Sequence, residues 1–253
     1  MLTGGVFTVD GAGGGGAVPW ATISGYETRD GINGSAGFTY VNLPALQVSF
    51  FGGNIGFFDR LELHATTARL SLNLPSLQTV ALAAESAGLD IGTDPWNSTI
   101  QMDTYGAKLR VFGDAVYNSH NLIPQVAVGF LYKDNKSEEL IRTLNAAEAS
   151  DWEAYVAATK VFFPISTLVN FTGRYTSANQ IGLTGFGHCE QNGDCENDKE
   201  FRFEASVAHL VAKNTAIGFE YQQHGDNLDG SSVRVGNLDL TGLTNALGTG
   251  AAE

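Results

Sequence analysis

Short runs in which apolar and polar residues alternate recur along most of the chain, while helical periodicity is scarce. This two-residue period constrains the fold more than any other feature, because it describes strands with two unlike faces. The cleanest run is Arg60 to Thr66, where Leu61, Leu63 and Ala65 oppose Arg60, Glu62, His64 and Thr66. It returns in Thr104 to Val111, where Tyr105, Ala107, Leu109 and Val111 oppose Thr104, Gly106, Lys108 and Arg110. In Phe201 to Val207 the polar set is Arg202, Glu204 and Ser206, and in Ala216 to Gln222 it is Gly218, Glu220 and Gln222. Weaker versions occupy Leu2 to Val9, Trp20 to Tyr26, Ala36 to Val41, Leu46 to Ile55, Gln125 to Lys133, Trp152 to Phe162 and Val169 to Tyr175. These runs predict about eleven strands, with Ser232 to Leu240 as a twelfth.

The connections also alternate. Gly56 to Asp59, Phe163 to Ser166 and Ala212 to Asn214 read as tight turns, whereas Ser71 to Ser98, Asp134 to Ser150, Ser177 to Lys199 and the tail from His224 read as long polar segments. A meander with tight turns at one rim and long loops at the other is the plan of an outer-membrane barrel, although a soluble barrel or sandwich can alternate as well. Two loop segments read as helical: Ser137 to Leu144, giving a loop helix within residues 137–150, and Pro75 to Ala84.

Which face is wet separates the two plans. A soluble barrel turns its polar residues outward and a membrane barrel exchanges the faces. Here the apolar face carries Tyr105, Tyr132, Tyr175, Phe201 and Tyr221 near strand ends, as an interfacial girdle does, and the polar face mixes charge with Gly, Ala, Ser and Thr. The pattern favours an all-β, antiparallel, up-and-down transmembrane barrel as a single domain over residues 1–253. On that assignment Leu63→Arg blocks membrane assembly and Glu62→Gln is tolerated.

Charge narrows the partners. The chain of 253 residues carries 14 Lys+Arg against 27 Asp+Glu, a formal net charge of −13, and no basic stripe, which argues against a nucleic-acid ligand. No run approaches the roughly 20 apolar residues of a membrane helix. The N-terminus, MLTGGVFTVDGAGGGG, has neither a basic region nor an apolar one, so either the protein is cytosolic or a secretory signal has been removed, and the cysteines argue for removal. Cys189 and Cys195 flank Asn192-Gly193, a turn that brings the thiols together, and a disulfide in an oxidising compartment is expected. A metal site from His188, Cys189 and Cys195 would have three ligands and no CxxC spacing.

Chemistry-bearing motifs are weak. Gly11 to Gly16 formally satisfies GxGxxG, but AVPWATIS follows where a dinucleotide fold needs a helix, so the glycines read as a flexible loop between strands. There is no GxSxG or HExxH, and the five histidines are scattered. The lumen-lining candidates are Arg60, Glu62, His64, Lys108, Arg110, Arg174, Arg202, Glu204, Glu220 and Gln222. As balanced charges on neighbouring strands they read first as a structural network, then as a selectivity lining, and least as catalytic groups. Two acidic clusters, Glu190, Asp194, Glu196, Asp198 and Glu200, and Glu148, Asp151 and Glu153, read as solvated loop surface, where divalent cations could bridge them to each other or to lipopolysaccharide phosphates. No cofactor or metal site is expected.

The opening LTGGVFTVDGAGGGGAVPWATISGYETRD, the hairpin IGFFDRLELH and the later VAKNTAIGFEY resemble a family of proteobacterial proteins regarded as outer-membrane-like β-barrels. The resemblance runs through most of the chain and implies an envelope location and a barrel, with no catalytic or binding residue to carry over. The chain lacks the aromatic final strand usual in such barrels and reads as trimmed at both ends. The expectation is a bacterial outer-membrane barrel of about twelve strands, in contact with lipid and lipopolysaccharide, that passes small solutes through a charged lumen. The alternatives are a non-conducting scaffold or docking barrel and an outer-membrane enzyme.

Overall fold

A computed structural model of the chain describes residues 6–25, 31–43, 46–72, 99–116, 121–189, 194–212, 215–225, 234–235 and 238–239. Its strands are β1 (Ile32–Asn42), β2 (Leu46–Phe57), β3 (Leu61–Leu72), β4 (Thr99–Phe112), β5 (Gln125–Asn135), β6 (Ser150–Phe162), β7 (Thr167–Thr176), β8 (His188–Cys189), β9 (Cys195–Glu196), β10 (Glu200–Ala212), β11 (Thr215–Gln222), β12 (Arg234–Val235) and β13 (Leu238–Asp239). Nine of them form one antiparallel sheet in the order β1-β2-β3-β4-β5-β6-β7-β10-β11, curved into a half-barrel. A helix, α1 (Glu138–Thr143), lies in the loop expected to hold one. The expected helix at Pro75 to Ala84 lies outside the described residues. No helix among the described residues is long and apolar enough to cross a membrane.

Neighbouring strands pair in chain order, as short connections favour. The β2–β3 turn places Phe58 and Asp59 at φ 53° and 52°, the left-handed pair that matches the twist of a tight hairpin. Tight connections also join β6 to β7 and β10 to β11, at the same rim as that hairpin. This rim also carries described residues 113–116 and 121–124 between β4 and β5, a longer connection that the alternation of loop lengths did not anticipate. Among the described residues the opposite rim carries 136–149, 177–189 and 194–199. Within the last two of these, β8 pairs with β9 so that Cys189 stands opposite Cys195, and the two are joined in a disulfide, as expected.

The sheet turns its apolar residues outward. Leu63 is 44% exposed, Phe171 64% and Phe203 69%, whereas Glu62 and Lys108 on the other face are wholly buried. The apolar and polar sets of the alternating runs thus fall on opposite sides of the sheet, the polar set on the concave side. Across β5, β6, β7 and β10 the outward rings of Phe130, Trp152, Tyr175 and Phe201 form a continuous row, with successive centroids 5.9, 6.2 and 4.9 Å apart. Lys199 lies 4.6 Å over the Trp152 ring.

Two expected strands are not strands. Over their described residues, Leu2 to Val9 and Trp20 to Tyr26 belong to a single irregular segment, residues 6–25, with no more than isolated bridges. This segment lies against the concave face of the sheet, and Thr8, Asp10, Ala12, Val18 and Ile23 are buried there. Its alternation misled because most of the segment is buried whatever the residue type, Thr8, Asp10, Thr22 and Ser24 as well as Ala12, Val18 and Ile23. Ser232 to Leu240, expected as one strand, contains the two short paired strands β12 and β13 among its described residues.

Candidate functional site

A segment without ladder partners must find hydrogen bonds elsewhere when it is buried. Residues 6–25 find them on the polar side chains of the surrounding wall. Glu62 of β3 accepts from Gly13 N at 2.8 Å and Ser24 N at 2.7 Å. Lys108 of β4 donates to the carbonyls of Gly13 at 2.8 Å and Trp20 at 3.2 Å and pairs with Glu62 at 3.1 Å. Asn54 of β2 donates to Gly11 O, Gln125 of β5 donates to Ala21 O, and Thr159 of β6 accepts from Ala21 N. Asn170 and Thr172 of β7 both donate to Pro19 O, and Trp20 Nε1 donates to Ser206 of β10 at 2.7 Å. Glu220 of β11 accepts from Gly16 N and Ala17 N, both at 2.7 Å. The inner segment is thus tied to eight strands, from β2 to β11.

The glycine tract is fitted to this position and is not the flexible inter-strand loop expected of it. A Cβ on Gly13 would stand 2.9 Å from Glu62 Oε2, and one on Gly14 would stand 2.4 Å from Val18 O. Only glycine lets the backbone approach the Glu62–Lys108 pair this closely.

A second knot of charge centres on Arg174. Its guanidinium pairs with Glu204 at 2.6 Å, Glu153 at 2.8 Å and Asp10 at 3.1 Å. Lys133 completes it, at 3.0 Å from Asp10 and 3.2 Å from Glu153. Burial alone would raise the Asp10 carboxyl, yet Lys133 and Arg174 hold it below its ordinary value. Asp10 belongs to the inner segment, so this knot also fastens that segment to the wall.

Apolar clusters lie toward both rims. Toward the long-loop rim, Phe50, Leu70, Ile100 and Met102 from β2, β3 and β4 pack with Leu140 and Ile141 of α1 and with Leu183. Toward the tight-turn rim, Trp20, Ala115, Val161 and Leu168 pack together. The concave side therefore holds side chains and the inner segment where an open pore would hold water.

Of the ten lumen candidates, Glu62, His64, Lys108, Arg174, Arg202 and Glu204 are buried on the concave side. His64 lies 3.6 Å from Glu62. Glu220 reaches the inner segment from the edge strand, and Gln222 donates to Glu204 at 3.0 Å. Arg60 and Arg110 do not join them. Arg60 is exposed in the β2–β3 turn, and Arg110 turns to Asp59 and Asp114 at the tight-turn rim, at 2.6 and 3.7 Å. Strand parity places Arg60 correctly in principle, but the turn ends the pleat before that residue. Sequence reasoning missed Lys133 and Asp10, and Glu153, expected as solvated loop surface, is instead buried between Lys133 and Arg174 because it lies on the inward face of β6. Lys133 and Glu153 carry the signal in their alternation within Gln125 to Lys133 and Trp152 to Phe162; Asp10 carries none.

A small recess near the long-loop rim is lined by residues that include Arg174, Arg202, Glu204, Gln223 and His224. Burial lowers the His224 imidazole below its ordinary value, opposed by Glu204 and reinforced by Arg202 and Arg174. No cluster of three or more His, Cys, Asp or Glu residues among those described is arranged to hold a metal ion. No curated protein and no solved structure matches the chain. Residues 3–236 match the family model described as protein of unknown function DUF3034, and the chain belongs to that family.

Proposed function

We propose that this protein is a membrane-spanning β-barrel of the bacterial outer membrane whose lumen is filled by its own residues 6–25. In the conformation described here it is a non-conducting envelope barrel that serves as a scaffold or docking site through its loops. The observation that carries this reading is the exchange of faces: bulky apolar side chains outside and buried ion pairs inside. A soluble half-barrel with such an outer surface would aggregate, while a bilayer accommodates it. The row from Phe130 to Phe201 fits an interfacial girdle. Sheet edges in lipid must be paired, so the full barrel needs more strands than these nine. With nine antiparallel strands β1 and β11 run in the same direction, and an odd number of further strands keeps every pairing antiparallel.

Channel-like passage of small solutes is the second reading. It is favoured by the way the inner segment is held, through hydrogen bonds and ion pairs rather than strand ladders, so that displacement would uncover a charged lumen. Planar-bilayer recording on the full-length refolded protein tests both. The wild type is expected to give no discrete steps, and a variant lacking residues 6–19, with heat-modifiable gel mobility as the check on folding, is expected to give them. Stable steps from the wild type would overturn the filled-lumen reading.

A further inference from the structure

The three carboxylates of the Arg174 knot are satisfied within it. Asp10 and Glu153 each meet both Lys133 and Arg174, Glu153 also accepts from Thr176, and Glu204 meets Arg174 and Gln222. Arg202, on the wall of the adjoining recess, is placed differently. Its side chain is only 9% exposed, yet its ion pair is with Glu200 at 3.9 Å, and that carboxylate is 72% exposed. Otherwise its guanidinium donates to the main-chain carbonyl of Ala178. A guanidinium carries five donors, and a buried one is costly until anionic oxygens meet it. At the rim of the recess, the Gln223 side-chain carbonyl accepts from Phe203 N, which leaves its amide group to donate.

We infer that this recess binds a small oxyanion, a phosphate or carboxylate group, with the Arg202 guanidinium as its main partner and the Gln223 amide as a second. The neighbouring carboxylates do not repel it strongly because Lys133, Arg174, Thr176 and Gln222 already neutralise or hydrogen-bond them. The site stands apart from the membrane reading, since it rests on the concave side alone. A free phosphate and a phospholipid headgroup present the same oxygens, so the test separates them.

The test is calorimetric titration of the full-length protein, refolded in a neutral detergent, with inorganic phosphate at constant ionic strength. Saturable binding is expected, weakened about tenfold or more by Arg202→Gln as charge-assisted bonds are lost, and unchanged by Lys136→Gln on the exposed surface. Should Arg202→Gln fail to fold by circular dichroism, Gln223→Leu at the exposed rim decides, with severalfold weakening expected. Displacement of phosphate by a short-chain anionic phospholipid, added to the same micelles at lower concentration, would support the site and assign it to headgroups. Displacement by acetate alone would support it and assign it to free solutes. Absence of saturable phosphate binding, or binding indifferent to both variants, would overturn the inference.

Discussion

Arg174→Met is expected to destabilise the folded protein by about 3–5 kcal/mol, the usual cost of removing one partner from a buried ion pair. The guanidinium stands among Glu204, Glu153 and Asp10, with side-chain exposures of 4% or less throughout. Its loss leaves Lys133 as the remaining close cation for Asp10 and Glu153, and none for Glu204 among the ion pairs described. The cost falls on the sheet and on the inner segment together, because Asp10 belongs to the latter. Urea unfolding of the detergent-refolded variant, followed by heat-modifiable mobility, measures it; a midpoint within error of the wild type would show that the knot is not formed. Glu62→Gln follows the same logic at smaller scale. A water-filled lumen would tolerate it, as expected from the alternation alone. With Glu62 bonded to Gly13 N, Ser24 N and Lys108, the change is instead expected to cost about 1.5–3 kcal/mol, the range for a hydrogen bond to a charged group.

Phe171→Arg is expected to cost about 2–4 kcal/mol of membrane stability, the range for a cation on the lipid face at the bilayer midplane. Phe171 lies midway along β7 and is 64% exposed on the outer face. Leu63→Arg, close to the β2–β3 turn, should act in the same direction but less, since the penalty falls toward the interface. Phe171→Ala separates loss of the ring from gain of the charge and should be far milder. Folding efficiency into vesicles measures all three. If Phe171→Arg inserted as well as Phe171→Ala, the outer face would not be in contact with lipid.

The nine sheet strands were legible because each has one polar and one apolar face for most of its length, and the tight hairpins were legible from their spacing. The disulfide could be anticipated because a short polar turn separates the two cysteines. The inner segment was not legible, and the reason is physical. Strand alternation reports a difference between two environments, and in residues 6–25 polar and apolar side chains are buried alike on the concave side. Its glycines are required by contact with Glu62, Lys108 and Val18, residues far apart in sequence or meeting through an irregular backbone. A local reading therefore sees flexibility where the fold has close packing. The same cause hid the roles of Asn170, Thr172 and Gln125, whose partners are main-chain atoms of the inner segment.

The central claim is that lipid covers the apolar face while the opposite face is dry and filled. Both native cysteines are joined, so an introduced cysteine is the single free thiol for a fluorescent label. Labels at Phe171, Val128 and Val156 on the outer face, and at Ser206 on the inner face, are compared in vesicles of brominated and unbrominated lipid. Strong quenching by brominated acyl chains at the three outer positions, and little at Ser206, is the result this account gives. Equal quenching on both faces, or none on the outer face, would contradict it.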